Sequence, residues 1–285
     1  MSRWLVTGAQ GMLGHDLLAA LDGRDVVGCT QADLDITDAA AVHGAIDELR
    51  PDVVANCAAW TAVDAAEDHE DAAFAVNAVG AANLTRACAG IKAALVHIST
   101  DYVFDGAATS PYAEDSPLSP RSAYGRTKAA GEWAVRAILP ERSWIVRTSW
   151  LYGATGSNFV RTMMHLESTM ETVDVVADQR GQPTWSAELA RQVVRLVDAH
   201  TPAGVYHGTA MGETTWYGLA RAVFEDLGAD PDRVHPTTTD KLPRPAARPA
   251  YSVLGHDAWR TVGLPAMPPW RESLGQALDV LRKAS

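Results

Sequence analysis

The sequence predicts a doubly wound α/β protein, a parallel sheet wrapped by helices on both faces, with a smaller C-terminal lobe. Three observations carry this. Short apolar runs alternate with helix-like stretches as far as about Gly153, three glycines follow the first apolar run directly, and after Gly153 the alternation gives way to longer irregular stretches. Strands buried on both faces read as unbroken apolar runs, and their alternation with helices implies crossover helices in one parallel sheet.

Taken in order, "RWLVTG" reads as a strand, Met12 to Leu21 as a helix, "DVVGC" as a strand, Ala39 to Leu49 as a helix and "PDVVANCAA" as a strand. A helix from about Asp71 to Ala89 leads to the strand "AALVHIST", and a helix from Tyr124 to Leu139 leads to "SWIVRTSWLYG". Beyond Gly153, "VVADQRGQPTW" and "TTTDKLPRPAARPAYSVLG" mix Gly and Pro with helices near 188–199, 216–227 and 271–282. That region reads as a lobe closing over the carboxyl edge of the sheet. The expected division is 1–152, rejoined by the helix near 186–200, and 153–285.

At 285 residues and 47% hydrophobic content the chain can bury a large core. No run of eighteen apolar residues occurs, and the N-terminus enters a strand pattern without a signal-peptide core, so a cytoplasmic protein that does not enter membranes is expected. The formal charge of -11 argues against nucleic acid and anionic membranes as partners. Cys29, Cys57 and Cys88 have no C-x-x-C spacing and read as small core residues rather than disulfides or metal ligands. The histidines form no ligand pair either, so no metal is assigned.

"LVTGAQGMLGHDLLAAL" sets Gly8, Gly11 and Gly14 after the first strand and at the opening of a helix. Glycine allows the tight turn and close approach of the backbone to a pyrophosphate, and the helix N-terminus offers unpaired N–H groups to the anion. The domain is therefore Rossmann-type and binds a dinucleotide. At the second strand's end, Thr30 and Gln31 stand where a ribose carboxylate or a 2′-phosphate arginine would be sought, so NADPH and NADH both remain candidates. Asp33 is the nearest candidate for a ribose contact. Asp35 and Ile36 are placed to meet the adenine, with Asp35 as a cap of the following helix the competing reading. Ala58 and Ala59 end the third strand and leave room for the cofactor.

In "SAYGRTKAAGEWAV", Tyr124 and Lys128 lie four residues apart and share one helix face. Ser99 and Thr100 end the fourth strand, followed by Asp101 and Tyr102. Hydroxyl, phenol and ammonium together form the proton-transfer set of a carbonyl reductase. Lys128 would lower the phenol and bind the nicotinamide ribose, Tyr124 would donate the proton, and Thr100 would hold the oxygen. Gly125 would let substrate approach.

With these residues, "PDVVANCAAWTAVDAAEDHEDAAFAVNAVGAANL", "HISTDYVFDG", "YGRTKAAGE", "IVRTSWLYG", "DQRGQPTW" and "RPAYSVL" resemble the dTDP-4-dehydrorhamnose reductase family of extended short-chain dehydrogenase/reductases over nearly the whole chain. The resemblance implies a catalytic Thr100, Tyr124 and Lys128. It implies cofactor contacts at Gly11, Met12, Leu13, Asp35, Ile36, Ala58, Ala59 and Trp60, and sugar contacts at Thr100, Asp101 and Trp150. The implied reaction is reduction of the C4 ketone of a dTDP-bound 6-deoxy-4-keto-hexose, giving dTDP-L-rhamnose in the best-known members and related sugars in antibiotic clusters. The lobe after 153 would then hold the nucleotide sugar.

Lys241, Arg244 and Arg248 in "DKLPRPAARPA" form one basic loop, and Arg248 is the candidate to grip the sugar diphosphate. The aromatic face of Trp150 suits an apolar sugar face. Asp16 and Glu188 are acidic positions of the kind that share magnesium at a dimer contact in some relatives, although such carboxylates are commonplace, so a homodimer stays open and the metal unsupported. A dehydratase would need an elimination base where Tyr102 stands. An epimerase would retain its cofactor tightly. A regulatory subunit that binds NADP(H) without catalysis is the remaining alternative, against which the intact Thr100, Tyr124 and Lys128 argue.

Overall fold

A computed structural model describes residues 2–284; Met1 and Ser285, the outer bounds of the expected division, lie outside the described residues. The sheet consists of β1 (Trp4–Thr7), β2 (Val26–Cys29), β3 (Val53–Asn56), β4 (Ala94–Thr100), β5 (Ser143–Thr148) and β6 (Gly204–His207). It is six-stranded, in the order β2-β1-β3-β4-β5-β6, and every pairing is parallel. The order reverses between β1 and β3, which opens a crevice at their carboxyl ends, the ligand site of doubly wound sheets.

Alternate residues of each strand feed opposite cores. Trp4, Val6, Val53, Ala55, Val96 and Val146 pack with Leu13 and Leu17 of α1 (Met12–Ala20) on one face. Leu5, Val54, Leu95 and Ile145 pack on the other face with Val42 and Ile46 of α2 (Ala39–Leu49), Leu84 and Cys88 of α3 (Ala81–Ile91) and Val135 of α4 (Ala123–Ile138). The period of two in side-chain direction thus converts each unbroken apolar run into two buried surfaces. The helices start where local chemistry allows: the Asp38 carboxylate accepts from the N–H groups of Ala40 and Ala41 at 2.9 and 3.0 Å, and the Ser122 hydroxyl accepts from Gly125 N at 3.1 Å.

After residue 152 come α5 (Phe159–Thr169), α6 (Ser186–Asp198), α7 (Trp216–Leu227) and α8 (Trp270–Ala284). Tyr152, Val160, Met163, Leu219, Phe224, Leu274 and Leu278 form a separate core for this lobe. The chain also returns to the sheet: Leu189, Val193 and Leu196 of α6 join the core beneath α1, and Tyr206, Trp259 and Met267 join it too. β6 comes from the short run "GVYH", which the alternation of the sequence does not mark as a strand. The helix expected over 71–89 is interrupted, since residues Ala75–Gly80 form a π-helical turn between Glu70–Phe74 and α3. No helix among the described residues is long and apolar enough to cross a membrane.

A buried ion pair fastens α4 to the sheet. Glu132 and Arg147 are 0% and 1% exposed, and Arg147 donates from Nε to Oε1 at 2.9 Å and from Nη2 to Oε2 at 2.8 Å. Ser99 Oγ donates to the same carboxylate at 2.6 Å, and Arg147 Nη1 donates to the Glu114 carbonyl at 3.0 Å. Removing one charge strands the other away from water. Glu132→Gln should therefore cost about 3–5 kcal/mol in urea unfolding, and replacing both residues by methionine should recover much of that loss. Equal losses in the single and double variants would show that packing, not charge pairing, sets the cost.

Candidate active site

The crevice holds a cavity of about 930 Å³. Its wall runs from the β1–α1 turn through the ends of β3, β4 and β5 to the first turns of α4. Gly8, Gly11, Met12, Leu13 and Gly14 line its base, Asp35 and Ile36 one end, Ala58, Ala59 and Trp60 the middle, and Thr100, Asp101, Tyr124, Lys128 and Trp150 the other end. Residues read from separate motifs thus share one space. Thr30 and Arg248 do not belong to that wall.

The turn is built for close approach. Gly8 is left-handed at φ 68°, and a β-carbon there would stand 2.7 Å from Ala58 N. No side chain caps α1 at Gly11 and no acidic residue occupies its first turn. The N–H groups at Met12 and Leu13 and the positive end of the helix dipole therefore suit an anionic diphosphate.

At the Asp35 end, Asp35 accepts from Thr37 N at 2.9 Å and Thr37 Oγ1 at 2.8 Å. Asp38 caps α2, so the capping alternative for Asp35 falls. Thr30 stands outside that wall. Its N–H and hydroxyl donate to Asp33 Oδ2 at 2.8 and 2.7 Å, turning it to its own loop, and these bonds hold the Asp33 carboxyl below its usual value.

Tyr124 is buried at the cavity wall, and this burial pushes its phenol up to about 12 against the opposing hydrogen bond of the Thr100 hydroxyl. Lys128 donates from Nζ to the Ile98 carbonyl at 2.6 Å; burial pulls it down to about 8, with Glu132 opposing. Desolvation dominates both groups and sets the phenol above its ordinary value. Asp101 is pushed up to about 6 by burial, opposed by the hydrogen bond that it accepts from Thr100. Thr100 donates to Asp101 Oδ1 at 2.9 Å and accepts from Tyr102 N at 3.2 Å. Gly125 has a different use from the one expected: its missing β-carbon lets α4 press on the Tyr102 carbonyl and Pro120, and it is the helix–loop contact that requires glycine.

Asn77 was missed. It sits in the π-helical turn, accepts from Trp60 N at 2.9 Å and donates to the Trp60 carbonyl at 3.2 Å and to Thr127 Oγ1 at 3.0 Å. Thr127 in turn donates to the Tyr124 carbonyl at 2.9 Å. Asn77 therefore ties the exit of β3 to the helix of Tyr124 and Lys128. Its signal is an amide inside the otherwise apolar "FAVNAVGAANL".

Arg248 stands outside that wall. Its guanidinium donates to Asp64 Oδ2 at 2.8 Å and to the Ala246 carbonyl at 3.0 Å, so its charge is paired within the protein. Asp16 and Glu188 each accept a serine hydroxyl, from Ser186 and Ser273. Among the described residues no group of three or more His, Cys, Asp or Glu could hold a metal ion.

The sequence matches the family described as RmlD substrate binding domain over residues 2–283. It is 54% identical over 281 residues to a dTDP-4-keto-6-deoxy-D-glucose reductase of Streptomyces niveus, covering 98% of this chain and 97% of that one. It is 52% identical over 285 residues to a dTDP-4-dehydrorhamnose reductase of Streptomyces griseus, covering 98% and 94%. A crystal structure of dTDP-4-dehydrorhamnose reductase from Bacillus anthracis in complex with NADP superposes with a TM-score of 0.95 at 38% identity, covering 98% and 99%.

The Lys128 shift has a definite sign. Between about pH 8 and 10.5 the unfolded chain holds a proton that the folded one has released, so stability rises with pH across that window. Relative to Lys128→Met, the wild type should gain roughly 3 kcal/mol from pH 7 to pH 10.5. Urea unfolding at both pH values measures this, and parallel pH profiles for the two proteins would refute it.

Proposed function

The chain belongs to the RmlD substrate binding domain family, and on that premise we propose that it is an NAD(P)H-dependent reductase of the C4 ketone of a dTDP-linked 4-keto-6-deoxyhexose, specifically dTDP-4-dehydro-L-rhamnose, yielding dTDP-L-rhamnose. The observation that carries this reading is the presence of Thr100, Tyr124 and Lys128 on the wall of the cavity that also contains the glycine turn. The relative from Streptomyces niveus, named for another 4-keto-6-deoxy sugar, favours a second reading in which a related keto sugar is reduced.

The residues fit a dinucleotide. Met12 and Leu13 at the uncapped start of α1 would hold its diphosphate, Asp35 and Ile36 its adenine end, and Lys128 its nicotinamide ribose, while Ala58 and Ala59 leave space. When bound, the reduced nicotinamide supplies a hydride. Tyr124, with its phenol near 12, stays protonated at neutral pH and donates that proton to the ketone oxygen as negative charge develops on it. Thr100 turns its hydroxyl from Asp101 to the same oxygen, and solvent reprotonates the phenolate. Lys128, mostly ammonium below pH 8, stabilises that phenolate. Arg248 would reach the sugar diphosphate by exchanging Asp64 for phosphate. Residues 1–152 with the helix near 186–200 would serve the cofactor, and the remainder of 153–285 the sugar. A homodimer is part of the same proposal.

Two outcomes are expected. The protein should oxidise NADPH or NADH when given dTDP-4-dehydro-L-rhamnose, and Tyr124→Phe should lower kcat by about 10² to 10⁴ while cofactor titration stays normal. Absence of turnover with any dTDP-4-keto-6-deoxyhexose, or near-normal kcat in the variant, would reject the mechanism. Because no charged side chain that reads the ribose ends β2, both cofactors should work with less than about a hundredfold preference in kcat/KM, roughly 2.7 kcal/mol. Steady-state kinetics with each cofactor decides it.

A further inference from the structure

Trp150 is the one non-glycine residue of the cavity wall, among the described residues, with a left-handed backbone, at φ 47°. A tryptophan adopts that conformation only where its surroundings impose it. Here they are specific. The Trp150 indole stacks on that of Trp216, with centroids 3.6 Å apart and an interplanar angle of 11°. Phe159 closes on Trp216 at 4.6 Å, and Trp216 Nε1 donates to Gln179 Oε1 at 3.1 Å. Gln179 is fixed in turn by donating to Thr239 Oγ1 at 2.9 Å. A β-carbon at Gly181 would stand 2.6 Å from Cε2 of Trp150, so glycine is what leaves the indole its place. The Trp150 carbonyl accepts from Thr184 N at 3.2 Å.

Gln179, Gly181 and Thr184 all come from "DQRGQPTW", a stretch with no part in the proton transfer. We infer that Trp216, held by Gln179, is a positioning residue that locks the Trp150 indole as a fixed apolar surface, and that this surface selects a 6-deoxyhexose over a hexose bearing a C6 hydroxyl. With one indole face stacked, Trp150 cannot swing aside, and a hydroxyl pressed against it would lose its water without gaining a partner. A methyl loses nothing there. The inference rests on the reductase reading above and on the sugar contact expected at Trp150, which shares the cavity wall with Thr100 and Tyr124.

The test is calorimetric titration of cofactor-saturated protein with dTDP-6-deoxy-D-glucose and dTDP-D-glucose, which differ only in the C6 hydroxyl. Wild type should favour the 6-deoxy ligand, and Trp216→Ala should weaken that ligand about fivefold, on the scale of one aromatic stack. The same variant should narrow the preference while leaving NADPH affinity within about twofold, and Trp216→Phe should retain most of the wild-type preference. Combining Trp216→Ala with Trp150→Ala should give less than the sum of the two effects. Gly181→Ala, which displaces Trp150 without touching Trp216, should reproduce the narrowed preference and keeps the test decisive if Trp216→Ala does not fold. Unchanged sugar preference in the folded variants, additive effects, or equal loss of NADPH and both sugars would overturn the inference. A wild type that reduces no dTDP-4-keto-6-deoxyhexose overturns the reductase reading, whereas an active wild type with an indifferent Trp216→Ala overturns only this one.

Discussion

Glu132 and Arg147 meet inside the protein with neither side chain exposed, and the placement of α4 on the sheet follows from that meeting. The carboxylate accepts two bonds from the guanidinium and a third from Ser99, which lies on β4. Three donors in fixed directions leave the helix one position along its axis. Lys128 sits one turn before Glu132, and Tyr124 one turn before Lys128, so both are carried to the end of β4 by the same anchor. Pairs of this kind add little net stability once desolvation is counted. What the pair supplies here is register, and register puts a phenol beside the Thr100 hydroxyl instead of a turn away from it.

The crevice those groups face arises from topology. Reversal of strand order between β1 and β3 separates the crossovers that follow them, and the gap is filled by neither. The far end of the crevice is completed by chain that comes much later in sequence. β6 extends the sheet beyond β5, α6 covers the face opposite α4, and the segment from Arg180 to Thr184 braces the end of β5 through Trp150. The lobe after residue 152 is therefore pinned to the sheet by shared core as well as by the site.

What could be read from sequence divides along physical lines. Periodicity exposed α2 and α7 to the residue, because both carry a cap or break at each end: Asp38 opens one, and Thr215 and Gly228 bound the other. The glycine turn and the Tyr124–Lys128 spacing were legible because their chemistry is local. β6 was not, since its four residues become a strand only through pairing with β5. Arg248 and Thr30 meet a related limit: a sequence shows that a cation or hydroxyl exists, but not that Asp64 or Asp33 already holds it. Asn77 was hidden because its role depends on Trp60 and Thr127, far from it in sequence, and on a π-helical turn that ordinary helical periodicity does not announce.

Burial acts on Tyr124, Asp101 and Lys128 in opposite directions and to a common end. It raises Tyr124 to about 12 and Asp101 to about 6, and lowers Lys128 to about 8. Each move favours the uncharged form, as desolvation must. For the acid role proposed for Tyr124 that is the useful direction, since a phenol near 12 is protonated at neutral pH and still far more acidic than the alcohol it would create. The same desolvation that raises the phenol would also discharge the lysine, and Glu132 opposes that by favouring the ammonium. The carboxylate that fixes the helix is thus also the charge that most opposes the discharge of Lys128, and it bears on both position and protonation on α4.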